Sequence, residues 1–378
     1  MASVTERQLP AGRLPSRVHV VGTGLIGTSL AMVLVRAGVS VSLADASPTS
    51  AALAADLSGG IVADSDEGVE LVVVAAPPDV TGTVVAHALR DCPGAYVTDV
   101  ASVKSAVRAD IAAAGVADLS RYVGGHPMAG RERSGAIAAR IDLFEGRPWV
   151  IAVAPDTDLE GVALVRGIAE AAGAAVRALS AQEHDAAVAV VSHVPQVAAS
   201  LVAARLEHLS EDAVGLAGPG VRDVTRIAAS DPRLWTQILR GNAGAVATVL
   251  RELHTDLGAV IAALEGISGA GAVQGGAAGS TAVLAGALAA GNAGRDRIPG
   301  KHGAAPTTYR TVVVLVPDEP GQLGRVFHDV GEAGINLEEI NLEHAMGAPF
   351  GLLELSVMPA VAGELAQELT RRGWRIHA

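Results

Sequence analysis

Short β-branched runs alternate with longer stretches of helical periodicity through the first half of the chain. The run RVHVV at residues 17–21 is continuously apolar, as expected of a strand buried on both faces. Similar runs recur at 39–44, 69–75, 95–98, 122–124, 149–153 and 174–179. Strands alternating with helices predict βαβ units and a parallel sheet. From about residue 181 no convincing strand follows for a long stretch. AQEHDAAVAVVSHVPQVAASLVAARLEHL reads as helix throughout, with a kink expected at Pro195. ISGAGAVQGGAAGS predicts a Gly/Ala-rich loop at about 266–279, STAVLAGALAAGNAGR a further helix, and RIPGKHGAAPTT a linker. From Tyr309 the strand–helix–strand rhythm restarts. The expected plan is a flexible leader at 1–16, an α/β domain at 17–180, an all-α domain at 181–303, a linker at 304–308 and a small α+β domain at 309–378.

Composition narrows the chemistry. A chain of 378 residues exceeds one ordinary core, in keeping with several domains. Half the residues are hydrophobic but only 2% are aromatic, so Ala, Val, Leu and Gly must fill the interior. The net charge of −12 repels phosphate backbones and anionic lipid heads, so neither nucleic acid nor a membrane surface is expected as a partner. A single cysteine, Cys92, excludes an internal disulfide framework and a Cys-based zinc site. The histidines are scattered without an HExxH pattern, and no metal is expected. The first residues lack the apolar core of a secretory signal, and the later apolar windows are expected to break before a membrane-spanning length. Cytoplasm is the expected location.

The most specific local pattern is Gly22-Thr23-Gly24-Leu25-Ile26-Gly27, which follows the first strand directly and opens a helix. In that context Gly22 permits the tight turn, Gly24 admits a pyrophosphate to the backbone, and Gly27 lets helix and strand pack closely. The amides at Leu25 and Ile26 would then face the phosphates. Asp45 closes the second strand, where a carboxylate can hold ribose hydroxyls. No basic residue follows it to receive a 2′-phosphate, so NAD is expected rather than NADP. The pattern lacks the lysine of a P-loop. Two later strand ends face the same crevice, Ala76-Pro77 and Asp99–Lys104, within which Ser102 would equally serve to cap the next helix.

Three segments carry candidate chemistry. His126 lies in GGHPMAG at the carboxyl end of the next strand, inside a Gly/Pro turn, where a base facing a nicotinamide is expected. Alone, an isolated histidine is more often a packed residue. His193 in SHVP is either a second site group or a histidine at a helix kink. Arg222 and Arg226, at i and i+4, could clamp carboxylates together or form a solvated ion-pair face with Asp223.

GTGLIGTSLA, TDVASVKS, GGHPMAGRERSG, SHVPQVAA and GVRDVTRIAASDPRLW, in that order, resemble the prephenate/arogenate dehydrogenase family of tyrosine biosynthesis across about residues 17–303. VVVLVPDEPGQLGRVFHDVGEAGINLEEI resembles an ACT domain, an amino-acid-sensing module of βαββαβ form. The resemblance implies a Rossmann-type parallel-sheet domain, a helical dimerisation domain and a ferredoxin-like ACT module. It also implies NAD-dependent oxidative decarboxylation of prephenate, with arogenate as the alternative substrate. Carried onto this chain, His126 accepts the proton of the ring hydroxyl and Ser102 hydrogen-bonds the same hydroxyl. Arg226 binds the side-chain carboxylate, with His193 and Arg222 as further substrate contacts, and Glu132 pairs with basic groups of the site. Trp235 packs near the site or the dimer interface. A homodimer and tyrosine as an effector are expected. Two other readings fit the glycine motif alone: another NAD-dependent dehydrogenase of the β-hydroxyacid type, and a non-catalytic NAD-sensing regulator.

Overall fold

The computed structural model describes residues 9–64, 68–130, 135–268, 274–299, 309–344 and 349–377. The first strands are β1 (Arg17–Val21), β2 (Ser40–Ala44), β3 (Ile61–Val62), β4 (Leu71–Val74), β5 (Tyr96–Asp99), β6 (Tyr122–Pro127), β7 (Pro148–Ala152) and β8 (Ala175–Leu179). They form one sheet in the order β3-β2-β1-β4-β5-β6-β7-β8. Neighbours are parallel except β6 and β7, whose antiparallel pairing corrects the all-parallel expectation. The order reverses between β1 and β4, which opens a crevice at their carboxyl ends. All four residues of β4 are buried, and they alternate between two cores. Leu71 and Val73 join Val18, Val20, Leu30 and Leu34 on one face. Val72 and Val74 join Val85, Leu89 and Val97 on the other. Two apolar faces explain why these strands read as unbroken aliphatic runs. β3 escaped that reading because its two residues are exposed at the sheet edge.

The expected flexible leader is wrong for residues 9–16. Leu9 is buried, the Arg13 amide donates to the Ala163 carbonyl, and the Arg13 guanidinium pairs with Glu70 and Glu160. Its first eight residues lie outside the described ones.

After β8, Ser180 and Glu183 form a reciprocal capping box that starts a helical run. The run continues to Leu206 through a π-helical turn at Ala189–His193. Pro195 sits in the first turn of the next α-helical piece, Val194–Ala203, where its missing N–H costs little. This overturns the expectation that every apolar stretch is interrupted. Ala181–Leu206 is one helix long and apolar enough to cross a membrane, with mean hydropathy 1.7. Its buried His184 and Asp185, however, are hydrogen-bonded into the sheet domain, as described below, which marks it as a packing helix. Helices Ala243–Ser268 and Gln274–Arg295 also shorten the loop expected at 266–279, since both its ends are helical.

The chain divides into two compact units, 1–255 and 256–378. The division between these units does not fall near residue 180, where Asp185 of helix Ala181–Leu206 bonds to the Lys104 and Ser105 amides of the sheet domain. In the second unit, β9 (Arg310–Pro317), β10 (Glu339–His344), β11 (Phe350–Val357) and β12 (Arg375–His377) form an antiparallel sheet ordered β10-β11-β9-β12. Helices Gln322–Glu332 and Ala362–Arg371 connect them, burying Val326, Val330, Leu365 and Leu369 against Val312, Val314, Leu353 and Leu355.

Candidate active site

The glycine loop between β1 and helix Leu25–Arg36 is shaped by contact and by space. Gly22 has φ +99°, and a Cβ there would lie 2.4 Å from the Ala75 carbonyl oxygen. A Cβ on Gly27 would fall 2.0 Å from the Gly22 oxygen. Gly24 differs: a Cβ would meet nothing within 4 Å, so its face is open to a ligand. Gly24 caps the helix without any side chain, leaving the amides of the first turn, at Leu25 and Ile26, free for an anion. Asp45, at the end of β2, accepts from the Thr23 amide at 2.7 Å and hydroxyl at 2.9 Å, and from the Ser47 amide at 2.8 Å. Burial opposes its ionisation, but those donors outweigh it and hold the carboxyl below its usual range. Ala76 and Pro77 border the loop across the crevice, with Pro77 capping the next helix. These residues fit a dinucleotide. Among the described residues no group of His, Cys, Asp and Glu could hold a metal ion.

Beyond the crevice lies a buried cluster of histidines. His126 belongs to β6 itself, paired with Val150 of β7, rather than to a turn after the strand. The antiparallel partner prolongs β6 through Pro127, a pairing that no apolar run announces. His126 Nδ1 lies 2.8 Å from His184 Nε2, with the rings edge to face. His184 Nδ1 lies 2.8 Å from Asp185 Oδ1. Asp185 also accepts from the Lys104 amide at 2.9 Å and the Ser105 amide at 2.8 Å. It thereby caps helix Ser105–Ala113 from a distant element, a task the sequence offered to Ser102. The Lys104 ammonium, fully buried, pairs with Asp99 and donates to the Gly125 carbonyl at 2.6 Å. The Tyr122 hydroxyl donates to Asp99 at 2.6 Å. His193, on the π-helical turn, is 1% exposed, contacts Asn242 Nδ2 through Nδ1 at 3.1 Å and meets Trp235 edge to face.

Electrostatics follow from burial. His126 is held well below the usual histidine value by burial first, then by the neighbouring His184, Lys104 and His193, which disfavour a second proton on its ring. Burial pushes His193 down to about 4. Burial acts to raise Asp185, yet hydrogen bonds from His184, Ser105 and Lys104 bring it to about 2. The site therefore holds two neutral imidazoles beside an ionised carboxylate. Each neutral ring keeps a free lone pair at neutral pH and can serve as base toward a substrate hydroxyl in the reacting complex.

The remaining candidates fall in different settings. Ser102 is half-buried in the turn between β5 and helix Ser105–Ala113. Arg222 lies on helix Pro219–Thr225 and Arg226 opens the 3₁₀ turn that follows, both exposed. The ion pair with Asp223 considered from the sequence is not formed among the described residues, which leaves both guanidiniums available to an anion. Glu132 lies outside the described residues. His184, Asp185, Asn242, Asp99 and Tyr122 belong to this cluster without any string of the sequence announcing their role. The adjacent His184-Asp185 pair near a helix start was the visible signal, but only the fold brings it to His126.

Comparison with known proteins agrees with this geometry. The family model for the nucleotide-binding domain of prephenate dehydrogenase matches residues 30–178, and that for its dimerisation domain matches residues 180–270. A Streptomyces niveus protein described as a probable prephenate dehydrogenase, NovF, is 37% identical over 94% of this chain and 98% of its own length. The prephenate dehydrogenase of Bacillus subtilis is 33% identical over 61% of this chain and 65% of its own. The crystal structure of the Aquifex aeolicus prephenate dehydrogenase with hydroxyphenyl propionate and NAD+ has a TM-score of 0.60 and 30% identity, covering 66% of this chain and 90% of that one. The Synechocystis arogenate dehydrogenase gives a TM-score of 0.58 and 28% identity, over 66% and 92%.

Proposed function

The chain belongs to the prephenate dehydrogenase family of NAD-dependent prephenate/arogenate dehydrogenases, and from that premise we propose that it converts prephenate to 4-hydroxyphenylpyruvate with His126 as the base. The observation that carries the reading is a neutral, buried His126 at the carboxyl end of β6, in the same unit as the glycine loop. Bound NAD supplies the hydride acceptor for the ring carbon that bears the hydroxyl. His126 takes the hydroxyl proton as the C–O bond gains double-bond character, and Ser102 hydrogen-bonds the same oxygen. Loss of the ring carboxylate as CO2 sends its bonding electrons into the ring. Aromatisation makes the overall step strongly downhill, so the protein's task is alignment and one proton transfer. The residues for alignment are Arg226, Arg222 and His193, with Glu132 as a pairing partner for the basic groups.

Prephenate is preferred because relatives at 37% and 33% identity are described as a probable prephenate dehydrogenase and a prephenate dehydrogenase. The Synechocystis neighbour keeps arogenate as the second reading. The domain plan proposed is a Rossmann-type domain at 17–180 and a helical domain at 181–303 that pairs with a second copy. An ACT-like regulatory module at 309–378 follows, and the enzyme is cytoplasmic. A cavity between Gln322, Arg325, Phe350 and Trp374 gives that module a candidate place for an amino-acid effector such as tyrosine.

Replacing His126 by Asn tests the base. The expected result is a kcat lower by ~10²–10⁴, the usual worth of a general base, with NAD binding retained. Turnover equal to the native enzyme would sink the assignment.

A further inference from the structure

The two histidines of the site are not equivalent. One must receive a proton, while the other faces the same region from a different element, and each can do its part only if the right ring nitrogen carries the hydrogen.

Asp185 is the fixed point. Its carboxylate accepts two backbone amides, from Lys104 and Ser105, which set its orientation against the start of helix Ser105–Ala113. An ionised carboxylate can only accept, so the hydrogen in the 2.8 Å contact with His184 belongs to His184 Nδ1. With that single hydrogen on the ring, Nε2 is bare. The 2.8 Å contact from His126 Nδ1 to that atom forms only if His126 donates. The carbonyl of Asp185 starts a second arm. Asn242, at the end of helix Pro232–Gly241, donates through Nδ2 to that carbonyl at 2.7 Å, which fixes the orientation of its amide. The other hydrogen of the same nitrogen faces His193 Nδ1 at 3.1 Å, so Nδ1 must accept.

We propose that His184, Asp185 and Asn242 are positioning residues that impose opposite tautomers on the two histidines, leaving His126 with a bare Nε2 and His193 with an Nε2–H. The proposal deepens the reading of His126 as base and rests on it for its meaning in catalysis. His126 then presents a lone pair to the substrate hydroxyl without rearrangement, and His193 presents a hydrogen to a substrate oxygen. When the hydroxyl proton arrives on His126 Nε2, the new positive charge faces a hydrogen-bonded chain that ends in a carboxylate. Four groups surround His126: His184, His193, Lys104 and Asp185. Lys104 is itself paired with Asp99, which also accepts from Tyr122.

The first arm of the test is spectroscopic and uses the full chain labelled with ¹⁵N in its histidine rings. Long-range ¹⁵N–¹H correlations report which ring nitrogens carry hydrogen at neutral pH, with signals assigned through single histidine variants. The expected pattern is Nδ1–H on His126 and His184 and Nε2–H on His193. Nε2–H on His126, Nδ1–H on His193 or a doubly protonated His184 would overturn the proposal.

A kinetic arm separates orientation from mere support. In Asp185→Asn the amide can donate to His184 Nδ1, which reverses the chain and blocks His126 Nε2. The expected fall in kcat is ~10²–10⁴, with NAD binding retained. His184→Gln keeps an acceptor toward His126 and a donor toward Asp185, so it should retain most of the turnover that His184→Leu loses. Equal losses in the two variants, both still binding NAD, would contradict the relay. If Asp185→Asn does not fold, the native spectra still decide. A fully active His126→Asn with the expected tautomers would refute the base and leave the relay standing.

Discussion

His193 makes the pH behaviour concrete. Its value of about 4 in the folded chain lies below the usual histidine value of 6.5, chiefly through burial. The unfolded chain therefore binds this proton from about pH 7 downward, while the folded chain binds it only near pH 4. Folding stability should be full above neutral pH and fall as the medium is acidified, by ~3 kcal/mol from this residue by pH 4. His126, shifted the same way, adds to the loss. Denaturant unfolding across that range checks this, with His193→Gln expected to flatten the slope. A stability that stays level from pH 7 to pH 4.5 would contradict it. Arg226→Ala addresses the substrate end: an exposed guanidinium with no ion pair among the described residues should matter to binding, so KM for prephenate should rise while stability holds. An unchanged KM would remove Arg226 from the site. At this scale His126, His193 and the glycines were legible because each sits in a short, distinctive string. His184, Asp185 and Asn242 were not, since their significance depends on contacts across 57 to 81 residues of sequence.

Among the elements, the strands announced themselves where both faces are buried, and were missed where they are not. β4 reads plainly as LVVV, whereas β3 is two exposed residues at an edge. The antiparallel β6–β7 pair and the π-helical turn left no mark on periodicity, because each depends on what packs alongside. The glycine loop offers a contrast between neighbours. Gly27→Ala drives a methyl into the Gly22 carbonyl and should destabilise the fold by ~1–3 kcal/mol, as overpacking does. Gly24→Ala meets open space, so it should leave the melting temperature alone and raise the KM for NAD instead. Thermal unfolding and NAD kinetics on the two variants distinguish them. Equal destabilisation by both would mean that Gly24 serves the turn and not the ligand.

For the whole molecule, order of motifs carried more than any single motif. Five strings in sequence pointed to the family, and the family models and the relative covering 94% of the chain agree with it. Domain limits were less legible. The family models meet between residues 178 and 180, Asp185 bonds across that point to the Lys104 amide, and the division into compact units falls within helix Ala243–Ser268. On that helix Leu257, Ile261 and Leu264 remain exposed at helical spacing, which suits a face that pairs with a second copy. A chain lacking residues 309–378 should keep NAD-dependent turnover and lose any inhibition by tyrosine. Inhibition that survives the truncation would take the effector away from the terminal module. The central claim is tested most directly by NADH absorbance, following the purified chain with NAD and either prephenate or arogenate. Turnover of prephenate ahead of arogenate is predicted. Bound NAD with no turnover of either substrate would contradict the account.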